Sequence, residues 1–234
     1  MKRYFLSLFL LAGGAELYST LTGASLVHRF AKPFLLLTLI GYYVFSRAGQ
    51  PLAITFLLAL FFSWAGDVLL MFQQEDASFF IYGLAAFLLA HVLFIFSYRQ
   101  HRWEDETNTL QGLQRVRFAF PLILSGSGLV VILYPYLGDM KWPVLVYALV
   151  ITLMSIQALF RYGRTGQGSF VMVFGGSILF MISDSLLAIN KFIESLPLAD
   201  FWIMLTYIAA QLLIVQGIII HTEKSPLEGG QRGV

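Results

Sequence analysis

The stretch that decides the fold runs from Pro51 to Phe72, PLAITFLLALFFSWAGDVLLMF, and it carries a single charged side chain, Asp67. About 20 mostly apolar residues, rising 1.5 Å each, carry an α-helix across the roughly 30 Å of a bilayer's hydrocarbon core. A helix packed in a soluble protein would keep a polar face toward water, and this one has none. The segment reads as a membrane span with a carboxylate inside it. Both parts of that reading extend outward along the chain.

The whole chain shares the composition of this stretch. Of its 234 residues 58% are hydrophobic and only 12% charged, against about 25% charged in an ordinary soluble domain. Breaking the sequence at its charged and Pro/Gly-marked segments gives eight spans, approximately 4–24, 31–47, 51–72, 78–98, 117–136, 142–160, 169–190 and 199–220. The expected architecture is an all-α integral membrane bundle of eight transmembrane helices, with residues 1–221 as the transmembrane domain and 222–234 as a polar cytoplasmic tail. Pro33, Pro121 and Pro143 are expected in the first turns of the second, fifth and sixth helices, where a missing N–H costs least. Met1-Lys2-Arg3 and the apolar run to Ala12 also fit a signal peptide. The apolar segment continues past Glu16 to Leu26, however, and a retained first helix is the simpler reading.

Charge sets an expected orientation through the bias of Lys and Arg toward the cytoplasmic side. One side of the bundle takes Lys2, Arg3, Arg47, Arg99, Arg102, Arg115, Arg117, Arg161, Arg164, Lys224 and Arg232, and the other only Arg29, Lys32, Lys141 and Lys191. Eleven against four places both termini in the cytoplasm of a cell (inner) membrane protein. The net charge of +2 is small and its basic residues sit in short connections, so there is no nucleic-acid footprint. The absence of cysteine excludes disulfides, thiolate catalysis and cysteine-ligated metals. The four histidines fall in different segments with no pair at i, i+4, and there is no P-loop, GxGxxG or GxSxG, so neither a metal nor a cofactor is expected.

Gly66-Asp67-Val68-Leu69-Leu70-Met71 is echoed by Ser183-Asp184-Ser185-Leu186-Leu187-Ala188. Four helices per half is an even number, so the two halves would be parallel repeats related by an axis along the membrane normal. An ionised carboxylate in hydrocarbon costs at least about 2.5–3.5 kcal/mol and ordinarily faces an interior cavity. Asp67 and Asp184, each about fifteen residues into its helix, are therefore the first candidates for function. The plain alternative is that each caps a neighbouring helix or pairs with Lys32 or Lys191; two acids at matching depth in matching motifs favour a shared site. His91 lies on an aromatic face with Phe87, Phe94 and Tyr98, where a lone histidine is ordinarily a packing residue. Tyr207 and Gln211 share one helix face, with interhelical hydrogen bonding as their plain role. Glu16 and Lys32 either join this polar cluster or lie at the interface, Lys32 by snorkelling.

Taken together, these motifs resemble the YhhN, or lysoplasmalogenase, family of eight-helix membrane proteins. The resemblance rests on Lys32-Pro33, on Ser63-Trp64-Ala65-Gly66-Asp67-Val68-Leu69-Leu70, and on Gly83 through Phe87-x-x-x-His91. It continues through Tyr147, Gly176 to Ala188 with Asp184 at its centre, and Tyr207-x-x-x-Gln211. It implies a membrane hydrolase that cleaves the vinyl ether bond of lysoplasmalogens to a fatty aldehyde and glycerophosphocholine or glycerophosphoethanolamine, working within the lipid bilayer. Vinyl ether cleavage protonates the β-carbon, adds water to the resulting oxocarbenium ion, and ends with collapse of a hemiacetal. It needs one protonated and one ionised carboxyl, a division that neighbouring acids in a low-dielectric site adopt, and glycosidases use such a pair on a related transition state. Asp67 and Asp184 take these roles jointly. Lys32, His91, Tyr147, Tyr207, Gln211 and Glu16 are the expected substrate-binding set, with Lys32 at the lipid phosphate. Two competing classes are a small proton- or cation-coupled transporter and a structural membrane protein whose polar residues only join helices.

Overall fold

The computed structural model describes residues 1–103 and 109–223, and all of its regular structure is helical. Eight α-helices follow in order: α1 (Lys2–Thr22), α2 (Ser25–Ser46), α3 (Ile54–Met71), α4 (Ser78–Gln100), α5 (Leu113–Leu133), α6 (Lys141–Leu159), α7 (Gln167–Phe192) and α8 (Ala199–Glu223). Two short 3-10 turns, Tyr134–Tyr136 and Gly138–Met140, join α5 to α6. Seven of the eight are long and apolar enough to cross a membrane. The exception is α2, whose first turns carry His28, Arg29 and Lys32. Outward-facing side chains are large and apolar: Val131 is 71% exposed, Leu11 70% and Leu149 60%, a surface suited to lipid rather than water. The chain is an integral multi-pass membrane protein.

Most boundaries fall within three residues of the sequence expectation, and two differ by more. α2 begins at Ser25 instead of 31, and α5 at Leu113 instead of 117. Hydropathy marks where hydrocarbon ends, whereas backbone hydrogen bonding decides where a helix ends. The added turns carry polar residues, among them His28 and Arg29 in α2 and Gln114 and Arg115 in α5. Pro33 and Pro121 consequently lie inside their helices and only Pro143 sits in a first turn. Inside α2, Pro33 turns its carbonyl to use by accepting a hydrogen bond from Trp64 Nε1 of α3 at 3.1 Å. The tail expected at 222–234 falls almost entirely on residues outside the described ones, α8 running to Glu223.

Neighbours in sequence pack as antiparallel hairpins, α1 on α2, α3 on α4 and α7 on α8 most extensively. Close approach at the α3–α4 contact rests on glycine: a Cβ at Gly66 would lie 2.6 Å from the Phe87 ring, and one at Gly83 2.7 Å from Leu70. The α7–α8 contact is built the same way, since a Cβ at Gly176 would lie 2.8 Å from the Ala210 carbonyl. Across the halves, α4 packs on α6 as α8 packs on α2, so the fourth helix of each half meets the second helix of the other. The core between them is aromatic and aliphatic, with Leu35, Phe56, Phe94, Phe180 and Ile214 fully buried.

The end of the bundle that holds the N-terminus is basic. Arg161, 1% exposed, donates from Nε and Nη2 to the carbonyl of His101 at 3.1 and 3.0 Å and from Nη2 to Ser169 Oγ at 3.0 Å. Burial pulls the His101 imidazole, just beyond α4, down to about 4; its bond to the Ser97 carbonyl opposes this, and the Arg161 and Arg47 charges add to it.

Candidate active site

A cavity of about 370 Å³ opens at the opposite end, among the C-terminal parts of α1, α3 and α7 and the N-terminal parts of α2 and α8. Asp67 and Asp184 both line it. Asp67, four residues from the end of α3, is 3% exposed, and the Asp184 side chain, eight residues from the end of α7, is 15% exposed. The repeated motif thus brings both carboxyls to the same cavity, near the C-terminal ends of α3 and α7.

Each carboxyl is held through one oxygen. Tyr207 OH donates to Asp67 Oδ2 at 2.7 Å, and Tyr147 OH donates to Asp184 Oδ2 at 2.5 Å. The Oδ1 atoms accept no hydrogen bond among the described residues. Neither aspartate is ion-paired with a lysine among the described residues: Lys191 Nζ reaches Gln73 Oε1 at 3.4 Å instead, and Lys32 lines the cavity. The charge of Lys32 nevertheless acts on Asp67 across the cavity, beyond ion-pair distance.

Behind this first layer stand Gln211 and His91. Gln211 is fully buried and donates from Nε2 to Tyr207 OH at 3.3 Å, forming a chain Gln211–Tyr207–Asp67. His91, also fully buried, approaches Asp184 Oδ2 with Nε2 at 3.9 Å, beyond hydrogen-bond reach, and stands edge-on to Phe180 and Tyr147 with ring centroids 4.7 and 5.3 Å away. Of the residues singled out in the sequence, Asp67, Asp184, Lys32 and Tyr207 line the cavity. Gln211, His91, Tyr147 and Glu16 support it from behind. Each aspartate is also met from the other half of the chain, Asp67 by Tyr207 of α8 and Asp184 by His91 of α4.

Asp184 stands at a boundary. Besides the polar cavity it borders two small apolar pockets of about 40 and 50 Å³, which share Val144, Tyr147 and Ala188. The first lies among Phe80, Phe87 and Phe192, the second among Leu129, Leu133 and Ile151. Polar space lies on one side of the carboxyl and apolar space on the other.

Sequence reasoning missed His28. It lines the cavity, and its Nδ1 lies 2.9 Å from Oε1 of Glu16, a carboxylate with no exposure at all. The signal was available: the turn at Gly23-Ala24 folds α2 back on α1, so a carboxylate a few residues before the turn faces residues a few after it. Among the described residues no group of three or more His, Asp or Glu side chains is placed to hold a metal ion.

Comparison with known proteins agrees with this architecture. A family model described as the YhhN family matches residues 27–218. The chain is 32% identical over 156 residues to lysoplasmalogenase TMEM86B of Homo sapiens, a match covering 67% of this chain and 59% of that protein. It is 30% identical over 178 residues to lysoplasmalogenase TMEM86A of Bos taurus, covering 74% and 69%. Against the lysoplasmalogenase of Mycobacterium tuberculosis (strain CDC 1551 / Oshkosh) it is 31% identical over 170 residues, covering 70% and 60%. The chain thus spans about three fifths of the length of the human and mycobacterial relatives. No solved structure matches it. Because the family model takes in both aspartates, both tyrosines that hold them, and most of the chain, the protein belongs to the YhhN family.

Proposed function

We propose that the chain is a lysoplasmalogenase, a membrane hydrolase that cleaves the vinyl ether of a lysoplasmalogen with Asp67 and Asp184 as a joint acid–base pair. The observation that carries this reading is the position of Asp184 between a polar cavity and apolar pockets. A lysoplasmalogen has its vinyl ether at the junction of a polar glycerophosphate and an alkenyl chain, so a substrate lying across that boundary brings the labile bond to the carboxyls. The relatives named lysoplasmalogenase support the same assignment.

One carboxyl delivers its proton to the β-carbon of the vinyl ether, and the electron pair of the double bond becomes the new C–H bond. The positive charge is then shared between the α-carbon and the ether oxygen, beside the second, ionised carboxyl. Water adds to the α-carbon and gives up a proton to a carboxylate, and the hemiacetal collapses to a fatty aldehyde and a glycerophosphocholine or glycerophosphoethanolamine. One water is consumed and no redox step occurs. Tyr207 and Tyr147 fix the carboxyls by one oxygen each and leave the other oxygen to the substrate. Lys32 on the cavity wall meets the phosphate. Ion transport has less support, because α3 and α7 run unbroken through the aspartate motifs. The charge bias puts both termini in the cytoplasm and the cavity on the other side.

The test is aldehyde release by purified protein in lipid nanodiscs from a lysoplasmalogen and from its saturated ether analogue. Hydrolysis of the first alone is expected. Asp67→Asn and Asp184→Asn should each lower turnover by about 10²–10⁴-fold, and the double variant should be little worse than the poorer single one. Near-normal hydrolysis by either variant, at wild-type expression, removes that residue from the mechanism.

A further inference from the structure

We infer that His28 and Lys32 form a phosphate clamp at the mouth of the cavity, with Glu16 as the buried carboxylate that orients His28. The inference rests on the lysophospholipid reading above, and it names what that site recognises.

Glu16 is the starting point. It lies within α1 with no exposure, and a buried carboxylate is costly unless it is paired. Its neighbours are Ser19, whose Oγ lies 3.4 Å from Oε2, and His28, whose Nδ1 lies 2.9 Å from Oε1. No lysine or arginine pairs with it among the described residues. A carboxylate on one ring nitrogen fixes which way an imidazole faces, as it does in carboxylate–histidine pairs at metal and catalytic sites. With Nδ1 turned to Glu16, Nε2 is the nitrogen left for other partners, and no described residue bonds it. The His28 side chain is 35% exposed and lines the cavity, in contrast to the deeply buried carboxylate behind it.

Lys32 follows one turn later on the same helix face and lines the same cavity. When protonated, His28 carries an N–H on both ring nitrogens; the Glu16 carboxylate then meets the ring as an ion-pair contact, not as an aligned hydrogen bond, the opposite N–H is left for a phosphate oxygen, and Lys32 neutralises the remaining charge. The other charged groups on the cavity wall are Asp67, Asp184 and Asp200; none lies within ion-pair distance of His28 or Lys32 among the described residues, although both side chains act electrostatically on Asp67. His28 is more exposed than either catalytic candidate, so the clamp sits outward of the carboxyls, where a head group precedes the ether bond.

The clamp is tested by binding, independently of turnover. Full-length protein in nanodiscs is titrated with three probes: a saturated 1-O-alkyl lysophosphoethanolamine, the 1-O-alkylglycerol of the same chain length, and inorganic phosphate. His28→Gln and Glu16→Gln should each weaken the lysophospholipid about tenfold, the loss of one charge-assisted hydrogen bond, and leave alkylglycerol binding unchanged. The double variant should match the single ones, because Glu16 acts through His28. Equal weakening of both lipids makes the pair a structural prop and overturns the clamp, as does no weakening of either. Inorganic phosphate binding as tightly as the lysophospholipid also overturns it, since the site would then take free phosphate. A chain that shows the His28-dependent lipid binding yet leaves vinyl ethers intact keeps the clamp and loses only the hydrolysis.

Discussion

Replacing Tyr207 by Phe separates what the tyrosine does for chemistry from what it does for stability. The ring volume is kept, and with it the edge-on contacts to Phe87 and Phe180, whose centroids lie 6.0 and 5.4 Å away. Two hydrogen bonds are lost. The first is the 2.7 Å bond to Asp67, between groups 4% and 3% exposed. A buried hydrogen bond to a charged acceptor is worth about 1.5–3 kcal/mol, which corresponds to about 10–150-fold in turnover if Asp67 must be held in one orientation. The second is the bond from Gln211, whose Oε1 already has no hydrogen-bond partner among the described residues and whose fully buried amide would then have none there at all. That orphan costs about 1–3 kcal/mol, equivalent to about 2–4 °C of thermal midpoint per kcal/mol in a chain of this size. Tyr207→Phe should therefore be slower and less stable. Adding Gln211→Leu removes the orphan amide, so the double variant should recover the midpoint without recovering activity. Aldehyde release and a thermal-shift measurement on the same nanodisc preparations read the two quantities separately. Full activity in Tyr207→Phe, or activity that returns together with stability in the double variant, would refute the assignment of Tyr207 to the orientation of Asp67.

Gly66→Ala should destabilise by about 1–3 kcal/mol and lower turnover, because the new Cβ would sit 2.6 Å from the Phe87 ring, which lines the cavity and touches Tyr207; an unchanged midpoint and rate would show slack at the α3–α4 contact. The folded protein holds His101 at about 4, below the 6.5 of the free side chain. The unfolded chain therefore takes up a proton first as pH falls, and stability drops between about pH 6.5 and 4 by at most about 3 kcal/mol. His101→Asn should flatten the midpoint-versus-pH curve over that window, and a curve of unchanged slope would assign the loss elsewhere. A reporter fused to the C-terminus, and another in the 99–117 connection, should both read cytoplasmic; a signal from the far side at either place reverses the orientation.

The helices were legible because lipid imposes a simple composition rule, and the eight apolar runs found their helices. Where the rule failed, at Ser25 and Leu113, the helix continues through turns that carry polar residues, which a hydropathy pattern does not mark. The aspartates were legible for the same reason in reverse, since a carboxylate in such a run has a cost that something must offset. Tyr207 and Gln211 announced themselves by their spacing of four. Tyr147 did not: a tyrosine among Val144, Leu145, Val146 and Ala148 looks like packing, and only the resemblance drew attention to it before its hydroxyl was seen on Asp184. His28 is not legible from its own segment, because its partner Glu16 lies on another helix, a pairing that spacing within one segment cannot display.

The crossed supply of polar rings, Tyr207 to Asp67 and His91 toward Asp184, bears on ancestry. A four-helix protein docked against a copy of itself would place two identical acids together, each attended by the partner's fourth helix. Such a dimer would have no way to tell donor from acceptor. Were two such copies joined in one gene, each side would be free to change alone; in the present chain a tyrosine–glutamine relay stands behind one acid and a histidine and a second tyrosine beside the other. On that origin, inequality between the carboxyls would be the inheritance of fusion, and a chain severed in its long central connection should work only when both pieces are made in the same membrane.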